Sequence, residues 1–292
     1  MAMSPADGEP TAGIVRVLLA AVRCEKGDMA ANLAMHRRVL AASWGCQLAI
    51  FPEMSLTGSL DPRTAPGALA TLDAAPVRAL AQATGQHAVA AVFGIAERGA
   101  GGASHITQVY ACGGKIAGVY RKRHLGEGEE GYTPGRESAL FRLGKGPGER
   151  PGEGPGLIEP EVSFGIAICA EGSVDYPFDE PAAAGARLIA FCAAPGLYGR
   201  RTDEASWRAG HAWWQGCGLG DARRHAARTG AWVALATQAG STADEDFPGL
   251  AAFVSPAGQV TARLPDWRAG TLVADLPLGP AFWRRHGGSR IR

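Results

Sequence analysis

The chain has 292 residues, of which 46% are hydrophobic and 20% are charged, with 29 Lys and Arg against 28 Asp and Glu. The formal net charge of +1 creates no strong overall field, so we expect no nucleic-acid partner. No apolar run reaches the roughly 18 residues that a transmembrane helix needs, and the N-terminal residues lack the basic-then-apolar order of a secretory signal. We therefore expect a globular protein with no membrane partner.

The six cysteines are scattered along the chain without a C-x-x-C pair. In a chain of this length, such spacing favours free thiols in a reducing compartment over a disulfide framework or a zinc site. We therefore predict a cytoplasmic protein without a metal site.

In the first third of the chain, buried strands alternate with helices. Apolar runs predict strands at 14–23, 47–52 and 87–96, and 3.6-residue periodicity predicts helices at about 28–43 and 76–84. We expect the Asp28 side chain to cap the first helix and Gly85 to end the second.

The rest of the chain mixes hairpins with further alternating elements. A hairpin is predicted around Gly113 and Gly114. Further strands are predicted at 141–143, 162–168, 187–193, 231–238, 250–255, 260–264 and 271–276, with helical segments at 181–185 and 207–229. Parallel and antiparallel strands should therefore share sheets in a layered α/β protein. We predict one domain, 14–278, between a flexible N-terminal tail, 1–13, and a basic C-terminal tail, 279–292.

Three residues lie at or near the ends of predicted strands: Glu53, Lys122 and Cys169. Each has an ordinary structural explanation, as a backbone cap, a basic surface residue and a small buried hydrophobe respectively. Together they suit one reaction. A thiol must lose its proton to attack, a carboxylate at a strand end can take that proton, and an ammonium can stabilise the thiolate and then the oxyanion. We therefore predict that these three residues are catalytic.

Short motifs surround the three residues, with F-P-E at 51–53, Y-R-K-x-H-L at 120–125 and G-x-A-I-C at 165–169. In content and order they resemble the motifs of the nitrilase superfamily of carbon–nitrogen hydrolases. Y-T-P-G at 132–135 and S-P-A-G at 255–258 extend the resemblance, which runs from about Ile14 to Leu276.

This resemblance implies an α/β fold, a four-layer α-β-β-α sandwich with mixed sheets, that assembles through helical faces into a homodimer or a larger homo-oligomer. It implies an amidase-like or carbamoylase-like hydrolase that acts on a small-molecule amide and needs no cofactor and no metal. Glu53 would be the general base, Lys122 the oxyanion partner and Cys169 the nucleophile.

The chain departs from the pattern of that superfamily in two places. Many members have an aromatic residue after the cysteine, whereas Ala170 stands here, so the shape of the substrate pocket cannot be transferred. The superfamily often adds a second active-site glutamate between the lysine and the cysteine. Both Glu129 and Glu130 are candidates, and we predict Glu130 because Gly131 beside it permits a sharp turn. In the alternative interpretation, every glutamate of this acidic loop is solvated.

Two other functions compete with amide hydrolysis. A papain-like hydrolase would pair Cys169 with His124, His211 or His225, although papain-like nucleophiles begin a helix and Cys169 ends a predicted strand. The second alternative is a binding or regulatory protein on the same fold with weak or no turnover, for which the atypical Ala170 is the argument.

Overall fold

Two six-stranded sheets form the centre of the protein in a computed structural model that describes residues 13–144, 162–197 and 203–279. Almost all of the two predicted tails, residues 1–12 and 280–292, lies outside the described residues.

The strands, in chain order, are β1 (Ile14–Ala21), β2 (Leu48–Ile50), β3 (Ala90–Arg98), β4 (Ser104–Cys112), β5 (Lys115–Arg121), β6 (Leu140–Leu143), β7 (Val162–Ile168), β8 (Leu188–Ala193), β9 (Trp232–Thr237), β10 (Ala239–Ser241), β11 (Asp246–Pro248), β12 (Ala251–Val254), β13 (Val260–Arg263) and β14 (Gly270–Pro277). The α-helices are α1 (Met29–Ala42), α2 (Ala75–Gln86), α3 (Tyr176–Ala183), α4 (Glu204–Trp214) and α5 (Gly220–Thr229). A 3₁₀ turn, Cys169–Ser173, follows β7 directly.

Both large sheets are mixed, as the sequence predicted. The first has the order β14-β1-β2-β3-β4-β5 and the second the order β13-β12-β9-β8-β7-β6. Strands β1, β2 and β3 are parallel in the first sheet, and β7, β8 and β9 are parallel in the second, while the outer strands of both sheets pair antiparallel. Each sheet therefore has a parallel centre connected by helices, with hairpin strands at its edges.

Three hydrophobic layers hold the sheets and helices together. Between the sheets, side chains such as Val17, Ile50, Phe164 and Ile166 are fully buried. Helices α1 and α2 cover the outer face of the first sheet, and α3 and α5 cover the outer face of the second. This arrangement confirms the predicted α-β-β-α layering and mixed sheets. None of the described helices is long and apolar enough to cross a membrane.

The two predicted helix boundaries have different outcomes. The Asp28 side chain accepts a hydrogen bond from the backbone N–H of Ala31 at 2.9 Å, which confirms the predicted cap. Helix α2 continues past Gly85 to Gln86, so the prediction that Gly85 ends it is wrong. A Cβ atom on Gly85 would lie 2.9 Å from the backbone nitrogen of Gly114, in the turn between β4 and β5. Close packing against that turn therefore accounts for this glycine.

Candidate active site

Three chain segments from both sheets bring a carboxylate, an ammonium and a thiol together. Glu53 follows β2, Lys122 follows β5, and Cys169 follows β7. The Lys122 side chain is fully buried and its Nζ donates to Glu53 Oε1 at 2.8 Å. The Cys169 thiol is buried close enough to the Glu53 carboxylate and the Lys122 ammonium for both charges to shift its pKa. The structure therefore brings together the three residues that the sequence singled out.

Cys169 stands at a sharp bend of the backbone. Its φ of 42° lies in the left-handed region, which a residue with a Cβ adopts only when its surroundings hold it there. The bend occurs where the buried strand β7 changes directly into the 3₁₀ turn. Cys169 therefore lies at the point where the buried strand ends.

Burial and charge keep the Cys169 thiol protonated. Burial raises its pKa well above the ordinary value, the negative charge of Glu53 raises it further, and the positive charge of Lys122 lowers it. The site already holds two carboxylates, Glu53 and Glu129, against a single ammonium. A thiolate would add a second net negative charge to a poorly solvated site, so the Cys169 sulfur rests as the neutral thiol.

The Glu53 carboxylate is held by groups from both sheets. Its Oε1 accepts from Lys122, and its Oε2 accepts at 2.9 Å from the backbone N–H of Ala194, directly after β8. Burial raises the pKa of Glu53, Lys122 lowers it and the nearby charge of Glu129 raises it, and the net shift is upward. A carboxylate with a raised pKa is a stronger proton acceptor than an ordinary one.

Lys122 is an ammonium despite its complete burial. Burial alone would lower its pKa, but the negative charges of Glu53 and Glu129 and the hydrogen bond to Glu129 raise the pKa above the ordinary value. Its backbone is fixed as well, since the N–H of Lys122 donates to Ile106 and its carbonyl accepts from Gly135, both at 2.8 Å.

The second glutamate at the site is Glu129, which corrects the predicted inward orientation of Glu130. Glu129 Oε1 accepts from Lys122 Nζ at 2.5 Å, and Glu129 Oε2 accepts from the backbone N–H of Gly126 at 2.6 Å. The Glu130 side chain is 63% exposed and accepts from the N–H of Gly128. The tight turn formed by Gly126 and Glu129 turns one carboxylate inward and its neighbour outward.

Two further polar residues at the site were missed by the sequence analysis. Gln238 follows β9, and its Nε2 donates to the backbone carbonyl of Glu53 at 2.9 Å, which fixes the backbone at Glu53. Glu171, two residues after Cys169, is fully buried. Both residues have the sequence feature that pointed to Glu53, which is a polar side chain just after a buried strand.

The geometry favours Glu53 over a histidine as the proton acceptor of Cys169. The His225 ring stacks on Phe178 with centroids 3.7 Å apart, and its Nε2 lies 2.8 Å from the carbonyl oxygen of Gly172. The His211 ring packs against Trp267. These contacts engage two of the three histidines that the papain-like alternative proposed, His211 and His225, in packing with other groups. Within the described ranges, no group of His, Cys, Asp and Glu is arranged to hold a metal ion.

Comparison with known proteins places this site in context. Residues 6–281 match the family model described as carbon-nitrogen hydrolase. No curated protein matches the chain by sequence.

Among solved structures, an amidase from Nesterenkonia sp. aligns with a TM-score of 0.70 and 22% identity, covering 94% of this chain and 97% of the other. A double mutant of that amidase from Nesterenkonia sp. AN1, in complex with acrylamide, aligns with a TM-score of 0.71 and 22% identity over 96% of both chains. In a Glu-to-Gln mutant, the acetamide moiety of fluoroacetamide is covalently added at the active site cysteine, and this structure aligns with a TM-score of 0.70 and 21% identity over 96% of this chain and 99% of the other. At this level of identity, the three structures establish a shared fold.

Proposed function

The chain belongs to the carbon–nitrogen hydrolase family, and on that premise we propose that it hydrolyses a small non-peptide amide or carbamoyl compound through a thioester on Cys169. The observation that carries the proposal is the buried ion pair of Lys122 and Glu53 beside the Cys169 thiol, where β2, β5 and β7 end. The acetamide adduct on the active-site cysteine of the Nesterenkonia amidase is consistent with it.

The first half of the reaction transfers the acyl group to sulfur. Glu53 takes the thiol proton as Sγ of Cys169 attacks the carbonyl carbon, so a thiolate forms only as its charge moves to the carbonyl oxygen. The Lys122 ammonium lies beside both groups and stabilises the oxyanion. When the tetrahedral intermediate collapses, the carbon–nitrogen bond breaks and Glu53 returns its proton to the leaving nitrogen.

The second half releases the acid. Glu53, again a carboxylate, takes a proton from water as the water oxygen attacks the thioester carbonyl. The carbon–sulfur bond breaks, and the proton returns from Glu53 to the Cys169 sulfur. Thiol, carboxylate and ammonium are restored, so the protein residues complete the cycle by proton transfer alone.

A binding or regulatory protein on the same fold is the alternative. The buried charges favour an enzyme, because placing two carboxylates and one ammonium out of water is costly and a simple binding pocket has no need of them. In the proposed reaction, the Glu53 carboxylate transfers protons, the Lys122 ammonium stabilises the oxyanion, and the Glu129 carboxylate holds Lys122.

The test is ammonia or amine release from a library of small amides, carbamoyl compounds and the matching nitriles. Cys169→Ser should abolish turnover while leaving the thermal unfolding midpoint close to wild type, because the two side chains are nearly the same size. Cys217→Ser, at a partly exposed cysteine, is the matched control and should retain activity. An acyl adduct on Cys169, detected by mass spectrometry of rapidly quenched enzyme, would identify the substrate.

Three results would count against this proposal. Full turnover by Cys169→Ser would refute the nucleophile, and binding without turnover across the library would favour the regulatory alternative. We also expect each amide to be converted faster than its matching nitrile, and the opposite order would count against an amidase.

The proposal also includes a cytoplasmic location and a homo-oligomer. All six cysteines are free thiols, as is usual in a reducing compartment. Trp213 on α4 is 46% exposed, which is consistent with association through a helical face. Sedimentation at micromolar concentration should give a species larger than the 30.2 kDa chain, and a monomer alone would refute the oligomer.

A further inference from the structure

Glu171 is a fully buried carboxylate two residues after the nucleophile. Its Oε2 accepts from the backbone N–H of Ile168 at 2.8 Å, directly before Cys169. Its Oε1 accepts from the Tyr120 hydroxyl at 2.8 Å and from the backbone N–H groups of Arg123 at 2.7 Å and His124 at 3.3 Å. One carboxylate therefore connects the strand that carries the nucleophile to the segment that carries Lys122.

The arrangement requires a group that only accepts hydrogen bonds. All four partners of Glu171 are N–H or O–H donors, and an ionised carboxylate has about four acceptor positions. A glutamine in the same place would turn its NH₂ group toward at least one of these donors, which would leave that donor without a partner. Burial raises the pKa of Glu171, while its hydrogen bonds to Arg123, Tyr120 and Ile168 lower it.

The positions of these donors around the reacting groups show what the carboxylate fixes. Tyr120 and Arg123 stand on either side of Lys122 in sequence, so Oε1 holds the Tyr120 side chain before Lys122 and the backbone N–H groups of Arg123 and His124 after it. Oε2 fixes Ile168, the residue before Cys169. The backbone of Cys169 needs such support because its own φ is 42°. Both catalytic residues are thus positioned from one side chain.

We propose that Glu171 is a positioning residue that sets the separation between the Cys169 thiol and the Lys122 ammonium. Glu171 is a positioning residue rather than a catalytic one, because its carboxylate is used entirely by the four donors. The expected effect of Glu171 on turnover rests on the proposed function, whereas its effect on the reactivity of the Cys169 thiol can be measured without a substrate.

The experiment compares Glu171→Gln with wild type in two measurements. The first is the rate of iodoacetamide alkylation at Cys169 from pH 6 to 11, followed by peptide mass spectrometry. The second is kcat and KM for the best amide. Glu180→Gln is the matched control, because Glu180 pairs with the side chain of Arg123 at the surface and contacts neither catalytic segment's backbone.

We expect Glu171→Gln to slow alkylation at least tenfold at pH 8 and to move the alkylation profile to higher pH, because Lys122 no longer stands beside the thiol. We expect kcat to fall at least tenfold and KM to change less than threefold. Glu180→Gln should match wild type in both measurements. A Glu171→Asp variant, which keeps the charge, should recover part of the alkylation rate.

A folded Glu171→Gln protein with the wild-type alkylation profile would overturn the inference. A shift of that profile to lower pH would also overturn it, because loss of the Glu171 charge alone would act in that direction. If Glu171→Gln does not fold, Tyr120→Phe removes one of the four donors and leaves the carboxylate, and an unchanged profile there would overturn the inference too. Failure of the proposed function would instead appear as no amide turnover in wild type while the alkylation shift persists.

Discussion

The Lys122 ammonium lies 2.5 Å from the Glu129 carboxylate, whereas the Glu130 carboxylate next to it in sequence faces Arg63 at the surface, 3.5 Å away. Adjacent residues of one acidic loop thus have different environments. Their carboxylates, which the sequence could not tell apart, should make very different contributions to catalysis.

Conversion of each glutamate to glutamine tests that difference, because the change keeps size and removes charge. Glu129→Gln should lower kcat at least about a hundredfold, since Lys122 loses one of the two carboxylates that hold it. Glu130→Gln should stay within a few-fold of wild type. Steady-state kinetics on the same amide measure both, and equal effects of the two substitutions would contradict the assignment of Glu129.

The pH dependence of kcat/KM should show one acid limb. Glu53 acts as a base only when ionised and its pKa is raised, so activity should fall as pH decreases through a midpoint above 4.5. Lys122 should produce no alkaline limb below about pH 10.5, because its pKa is raised above that value. In Glu129→Gln, the acid limb should move to lower pH, since the lost negative charge had made ionisation of Glu53 harder. Glu130→Gln is the control and should leave the midpoint unchanged.

Ala170 and Gly126 form a close contact that bears on the missing aromatic wall of the pocket. A Cβ atom on Gly126 would lie 3.0 Å from the Ala170 Cβ, and the N–H of Gly126 holds Glu129. A tyrosine at position 170 would therefore displace Gly126 and the glutamate with it. Ala170→Tyr should lower kcat at least about tenfold, whereas Ala170→Ser should retain most activity. Higher activity in Ala170→Tyr would contradict this coupling.

Buried His36 should make the protein sensitive to acid. Its ring nitrogens contact the Asn32 carbonyl at 2.7 Å and the Ser55 hydroxyl at 3.0 Å, and burial lowers its pKa to about 4. As pH falls, His36 is therefore protonated in the unfolded chain before it is protonated in the folded protein. The contribution of neutral His36 to the free energy of unfolding is complete well above pH 6.5 and is lost as pH falls toward 4, with a loss of about 1.6 kcal/mol between pH 6.5 and 5.

Urea unfolding at several pH values tests this. His36→Gln should be less stable than wild type at pH 7 but should lose less free energy of unfolding between pH 6.5 and 5. His87→Gln, at an exposed imidazole after α2, should keep the wild-type pH dependence. Parallel pH curves for wild type and His36→Gln would show that His36 is not the group responsible.

The local order of the chain could be predicted from the sequence because local interactions determine it. Most residues of the apolar runs that become β1, β7 and β8 are buried, and the shortness of these runs favours strands over helices. Asp28 caps α1 through a hydrogen bond that spans three residues. Glu53, Lys122 and Cys169 could be found because each interrupts or follows such a run with a reactive side chain.

Features that depend on contacts between distant segments could not be predicted from the sequence. The sequence prediction for Gly85 is wrong because the contact that requires a glycine there, with the turn at Gly114, comes from another part of the chain. The part played by Glu171 depends on donors from Tyr120 to Ile168, which only the packing of the two sheets brings within 3.3 Å of one carboxylate.

The sequence by itself was enough to select Glu53, Lys122 and Cys169 as candidates and to predict the strands that they follow, since strand patterning and residue type are local properties. Only the tertiary structure decided that Glu129 rather than Glu130 faces Lys122. The two glutamates are adjacent and chemically identical, and the choice depends on the direction of one turn at Gly126, packed against Ala170 from a segment more than forty residues away.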